Sequence, residues 1–180
     1  MAHCTVVVTG APLSARCADI VSALQTAEVS VDLVTTPAAG EWIDTEAVTA
    51  ATGAQLRSQA RASSSSPRVG LPDLMIVCPA TFNTVNKAAL GIADTSAHGF
   101  ICECIACRVP TIVVPMINDR LWGHPALASH IAALKRAGVH FLSPLTGEPA
   151  LAPVVSGTGS AVVAAFDPMW LVEAIPALTS

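Results

Sequence analysis

The feature that most constrains this chain is a set of short apolar runs, at Cys4 to Thr9, Val29 to Thr35, Leu74 to Cys78, Pro110 to Val114 and Val139 to Leu142. Turn residues and helix-like stretches separate them. The third, Leu74-Met75-Ile76-Val77-Cys78, is uncharged and closed by Pro79, as a strand buried on both faces should be. Strands alternating with helices imply a parallel sheet joined by right-handed crossovers. The expected fold is therefore α/β, a doubly wound parallel sheet. With 180 residues the chain is long enough for one domain with a real core and too short for two comfortable ones.

Open α/β sheets hold their ligands outside the carboxyl ends of the strands, so the residues after each run are the ones to read for function. After the first run comes Gly10-Ala11-Pro12-Leu13-Ser14-Ala15, then helical spacing through Cys17, Ile20, Val21 and Leu24. Such a turn can bring N–H groups and a hydroxyl to a phosphate, although Ser14 can equally be a simple cap. Thr36 puts a second hydroxyl at the mouth of a short helix on the same edge. After Pro79, either Thr81 or Asn83 can cap a helix whose free N–H groups face that edge.

Elsewhere, Asp44 to Thr52 reads as a helix capped by Asp44 and stopped by Gly53. The stretch around 54–70 loses its periodicity in Ser63-Ser64-Ser65-Ser66-Pro67 and reads as a flexible loop. Helices are expected over Ser96 to Cys107, from Pro125 to Gly138 and over Met169 to Leu178. Ser143 to Asp167, rich in Gly, Pro, Ser and Val, reads as a long loop or an exposed hairpin.

Composition excludes several classes of partner. Net charge is −4 and the Lys and Arg residues are scattered, so neither nucleic acid nor an anionic membrane surface is an expected partner. Every apolar run breaks well short of the roughly 18 residues of a membrane span. No basic leader or cleavage site is visible at the N-terminus, which sets the expectation of a cytoplasmic protein. At 52% hydrophobic and only 4% aromatic, the chain is expected to bury part of its exterior against copies of itself.

Cys102, Cys104 and Cys107, with His98 upstream, invite a metal reading. On a helix Cys104 and Cys107 fall about 60° apart while His98 and Cys102 share another face, so no metal is expected there.

Two segments together resemble the homo-oligomeric flavin-containing cysteine decarboxylases. Pro79-Ala80-Thr81-Phe82-Asn83-Thr84 is similar to that family's Pro-Ala-Ser-Ala-Asn-Thr motif. Pro115-Met116-Ile117-Asn118-Asp119-Arg120-Leu121-Trp122 is similar to its Pro-x-Met-Asn-x-x-Met-Trp motif, and Gly91-Ile92-Ala93-Asp94 to its Gly-Ile-x-Asp. The resemblance spans most of residues 4 to 144 and is nearest the lantibiotic-type peptidyl-cysteine decarboxylases.

It implies a flavodoxin-like (Rossmann-like) domain over 1–180 that binds FMN. The loop around 145–167, hinged at Gly157 and Gly159 and carrying an apolar face, reads either as a substrate clamp or as a hairpin packing on a neighbouring subunit. The resemblance also implies a homo-oligomer, a trimer or dodecamer, with the site between protomers. Gly10, Ser14 and Thr36 would meet the phosphate, while Pro79, Thr81, Asn83 and Met116 would lie along the flavin. Asn118 would hold the substrate carboxylate; read without the resemblance, it is a turn residue capping the next helix. The implied reaction oxidises the thiol-bearing carbon of a C-terminal cysteine to a thioaldehyde, after which carbon dioxide leaves. An aminoenethiol results, in the maturation of a ribosomally made peptide. The alternative is a non-catalytic or regulatory flavoprotein of the same fold, with phosphopantothenoylcysteine decarboxylase and flavin prenyltransferase as more distant options.

Two departures qualify the resemblance. The family carries a histidine just before the central strand, where this chain reads Ser64-Ser65-Ser66-Pro67-Arg68-Val69-Gly70. Ser65 and Ser66, or His124 beside Trp122, are the candidate substitutes, and His3, His98, His130 and His140 are expected at the surface or in packing. Phosphopantothenoylcysteine decarboxylases also carry a cysteine in the late loop, whereas Ala152-Pro153-Val154-Val155-Ser156-Gly157-Thr158-Gly159-Ser160 has none.

Overall fold

Residues 2–57 and 70–179 are described in this computed structural model. Among them the strands are β1 (His3–Val8), β2 (Ser30–Thr35), β3 (Gln55–Leu56), β4 (Leu74–Ala80), β5 (Thr111–Pro115) and β6 (Val139–Phe141). They form one 6-stranded sheet in the order β3-β2-β1-β4-β5-β6, with every pairing parallel. Apart from the two-residue β3, the strands lie second, first, third, fourth, fifth in chain order, the flavodoxin-like arrangement. The winding reverses between β1 and β4. That reversal opens a crevice at their carboxyl ends.

Side chains alternate across the sheet and feed two cores. Cys4, Val6, Val8, Ile76, Cys78, Ile112 and Val114 face one side, where they meet α1 (Cys17–Thr26), α7 (Gly159–Ala165) and α8 (Met169–Ala174). Val7, Met75, Val77 and Val113 face the other, against α3 (Phe82–Leu90), α4 (Ser96–Ala106) and α6 (Pro125–Arg136). All seven residues of β4 are buried, because helices cover both faces. The other α-helices among the described residues are α2 (Thr45–Thr52), α5 (Asp119–Trp122) and α9 (Pro176–Thr179), with 3-10 turns at Pro12–Arg16 and Pro37–Glu41.

The caps follow local chemistry. Asp44 accepts from Ala47 N at the start of α2, and Gly53 ends that helix at φ 70. Thr81 accepts from Thr84 N at the start of α3, and Gly91 ends it at φ 68.

Three expectations need correction. The stretch read as a loop from residue 54 begins with β3, which pairs with β2 through Asp32 and Leu33; residues 58–69 lie outside the described residues. The segment read as a loop or hairpin over Ser143 to Asp167 contains α7, because Val162 buries against the core despite the surrounding glycine and serine. It also makes a parallel bridge from Val154 to Asn118. The closing helix breaks at Ile175, since Pro176 has no N–H to continue it. Among the described residues no single helix is long and apolar enough to cross a membrane.

Candidate functional site

The turns that leave β1, β2, β4 and β5 enclose a cleft of about 1020 Å³, slightly above the usual size for a small-molecule site. Gly10 at the end of β1 sits so close to the turn after β2 that a Cβ there would lie 2.7 Å from Ala38 O and 2.9 Å from Ala38 Cβ. Only glycine lets the two turns approach. Thr36, at the end of β2, lines the same space; its buried Oγ1 has no hydrogen-bond partner among the described residues. An unpaired buried hydroxyl is costly, which suits it to a ligand oxygen.

The corner after β4 is tied to the first turn by threonines. Thr9 Oγ1 donates to Pro79 O at 2.8 Å and accepts from Thr81 N at 3.1 Å. Thr81, Phe82 and Asn83 therefore stand at the mouth of α3, on the cleft wall. The first N–H groups of a helix lack intrahelical partners and favour negative charge. No Asp or Glu is among the described residues lining the cleft.

Met116 and Ile117, after β5, supply an apolar floor, and Met116 Sδ accepts from Leu13 N at 3.2 Å. Asn118 follows on the same wall. Its Oδ1 accepts from Leu121 N at 2.9 Å and caps α5, which leaves the amide N–H groups for a ligand. Its capping and binding readings are thus compatible.

The cleft brings together Gly10, Thr36, Thr81, Asn83, Met116 and Asn118 from the sequence-predicted set. Ser14 and Pro79 stand behind the wall. Ser14 is fully buried and its hydroxyl donates to Thr9 O at 2.7 Å, so it braces the turn. Pro79 contributes its carbonyl to Thr9. His124 does not line the cleft; its Nδ1 accepts from Ala126 N, capping α6, and its ring meets the Phe82 ring edge-on at 5.5 Å. Ser65 and Ser66 lie outside the described residues.

The sequence reading missed His98, expected at the surface or in packing. It is 5% exposed and lines the cleft together with Thr84, Thr95 and Lys87. Its Nδ1 lies 2.8 Å from Thr95 Oγ1 and 3.4 Å from Asp94 Oδ1, and its Nε2 3.5 Å from Thr84 Oγ1. Burial, then the Lys87 ammonium, pushes its pKa below the ordinary histidine range against the pull of Asp94. Lys87 Nζ donates to Asp94 Oδ2 at 2.7 Å, which holds that carboxyl below the usual carboxylate range. One local signal was available: Thr95, three residues before His98, is the N-cap that sets the start of α4.

Across the cleft a strap is fastened to α5. Val154 N donates to Ile117 O at 2.9 Å and Asp119 N to Val154 O at 3.0 Å. The Ser156 N–H donates to Asp119 Oδ1 at 3.0 Å, and its hydroxyl donates to the same oxygen. These bonds hold the Asp119 carboxyl below its usual range. Val154 and Val162 bury within this chain's own core, whereas Val155 is 60% exposed beside the cleft.

A crevice at the strand reversal, a glycine-tight first turn and an unpaired threonine hydroxyl form one site, and the profile of the flavoprotein family matches residues 1–167. The chain belongs to the flavoprotein family. Among its relatives, the coenzyme A biosynthesis bifunctional protein CoaBC of Thermococcus kodakarensis is 38% identical over 72 residues, which is 40% of this chain and 18% of that protein. This flavoprotein thus aligns with under a fifth of the length of that relative. Among solved structures, the FMN-dependent cysteine decarboxylase TvaF from thioviridamide biosynthesis superposes with a TM-score of 0.69 at 21% identity, covering 91% of this chain and 99% of its own. MrsD from Bacillus sp. HIL-Y85/54728 gives a TM-score of 0.73 at 16% identity, covering 99% and 96%. Both share the fold.

Proposed function

We propose that this flavoprotein is an FMN-dependent decarboxylase of a C-terminal peptidyl cysteine, assembled as a homo-oligomer and working in the cytoplasm on a ribosomally made peptide. The observation that carries the reading is that Asn83 and Asn118, from two separate motifs, line a single cleft. The chain's own residues fit the cofactor. Gly10 and Thr36 would receive the phosphate, where the close turn and the unpaired Oγ1 provide room and a hydrogen-bonding atom. Thr81, Asn83 and Met116 would lie along the ring. FMN bound here supplies the acceptor for the two electrons and two protons that leave the cysteine as it loses carbon dioxide.

Asn118 is assigned the substrate carboxylate. A neutral carboxamide with its oxygen tied to Leu121 N offers only donors to a ligand, and it adds no second charge to an apolar site. The apolar side chains of Met116, Ile117 and Val154 exclude water from the reacting carbon. Gly157, at φ 89, gives the strap a hinge beside the cleft through which a peptide end would enter.

A second reading, decarboxylation of phosphopantothenoylcysteine, is favoured by the CoaBC relatives, and the strap without a cysteine weighs against it. One assay separates them. Purified protein with FMN is given a peptide ending in cysteine or phosphopantothenoylcysteine, and products are weighed by mass spectrometry. The peptide is expected to become lighter by the mass of HCOOH, and Asn118→Asp to abolish this while the protein stays yellow. Conversion of phosphopantothenoylcysteine alone would favour the second reading. Conversion of neither, with flavin bound, would favour a non-catalytic flavoprotein.

A further inference from the structure

His98 is the histidine among the described residues that reaches the cleft, and a chain of hydroxyls connects it to the mouth of α3. Its Nδ1 side faces Thr95 Oγ1 and the Asp94 carboxylate. Thr95 Oγ1 can donate to or accept from Nδ1, whereas the Asp94 carboxylate only accepts; we assign the proton of the neutral ring to Nδ1 on the strength of that negative charge, which makes Nε2 the acceptor. Thr84 Oγ1 lies 3.5 Å from Nε2, a long contact of the kind that tightens once a ligand is bound. Thr84 Oγ1 is in turn 3.0 Å from Thr81 Oγ1, which lines the cleft.

Each hydroxyl has one proton, so the direction of the chain depends on the ring. With His98 neutral, Thr81 donates to Thr84 and Thr84 donates to Nε2. With His98 charged, Nε2 donates to Thr84, Thr84 donates to Thr81, and the Thr81 proton is released toward the cleft. Thr81 Oγ1 still accepts from Thr84 N as the cap, at 3.3 Å, so the helix start is the same in both states.

We infer that His98 is a positioning residue acting through the Thr84 hydroxyl on Thr81, so that one proton taken up by the imidazole appears in the cleft as a hydrogen-bond donor beside the bound flavin. The inference rests on the flavin reading above. No heavy-atom bond changes: the imidazole gains a proton from water and two hydroxyls reverse their roles. Among the described residues, the charged groups facing His98 are Lys87 on α3, which opposes protonation, and Asp94 in the turn before α4, which favours it. Within α4, Cys102 lies one turn further on. Burial also opposes the charge, so the donor emerges on the acid side of the ordinary histidine range.

The test follows the visible spectrum and dissociation constant of bound FMN between about pH 8 and pH 5 in four proteins: wild type, His98→Gln, Thr84→Val and Thr84→Ser. FMN's own phosphate titrates near pH 6, so the readout is the difference between proteins. Wild type and Thr84→Ser are expected to share a band shift and a change in affinity of about three- to tenfold, the worth of one net hydrogen bond. His98→Gln and Thr84→Val are expected to lose both. Equal profiles in all four proteins would overturn the relay and leave the flavin reading standing. Absence of FMN binding by the wild type at every pH would overturn both.

Discussion

The two walls of the cleft are held by different forces. The α3 wall stands on buried structure: Val85 and Ile101 are 1% exposed, Thr84 and His98 are buried, and threonine hydrogen bonds connect turns 70 residues apart in sequence. The strap wall stands on a few backbone bonds to α5 and on the exposed Asp119–Ser156 pair, with Val154 and Val162 as its buried anchors. Opening free energy follows the number of buried apolar contacts, so the first wall is a fixed template and the second is the part free to move. Under the proposed function, the first wall would place the ring and the second would admit a peptide end.

The comparison can be broken from either side. Ile101→Ala, on α4, the helix that also carries His98, should cost roughly 2–5 kcal/mol in urea unfolding, because the cavity cannot close against a sheet packed on both faces. A loss under about 1 kcal/mol, well below that range, would mean that the α3 wall does not stand on its core. Thr81→Ala removes the cap of α3 and should cost about 0.5–2 kcal/mol by the same measurement. Asp119→Ala, which removes the oxygen that both Ser156 groups bond, should leave the thermal midpoint nearly unchanged while protease cleavage between residues 152 and 160 speeds up severalfold. Unchanged cleavage would show that the strap is held by Val154 and Val162 rather than by the polar latch.

Much of the frame was legible in the sequence because its causes are local. Asp44 and Gly53 declare helix ends through the chemistry of one turn, as does Thr81, one of two candidate caps, and the uncharged run at Leu74 declares a strand covered on both faces. The short β3 escaped because two residues carry no periodicity, and α7 escaped because Gly159, Ser160 and Ala161 look like loop. Gly159 is small for a reason outside its own segment: a Cβ there would lie 3.1 Å from Pro12 Cγ.

Within the site, residue type alone could place Asn83, Asn118, Gly10 and Thr36 at the carboxyl edge, since each directly follows a strand or opens a helix. Whether a side chain faces the cleft or the wall behind it depends on partners far along the chain. Ser14 turns inward to Thr9, His124 turns to the start of α6, and His98 turns toward Thr84 across the gap between two helices. Sequence by itself settled the parallel α/β order and the edge where ligands belong, because period and capping act over a few residues. Only the tertiary structure decided which histidine reaches the cleft and which wall can move, because hydrogen-bond direction and burial are set by contacts between segments as distant as Leu13 and Met116.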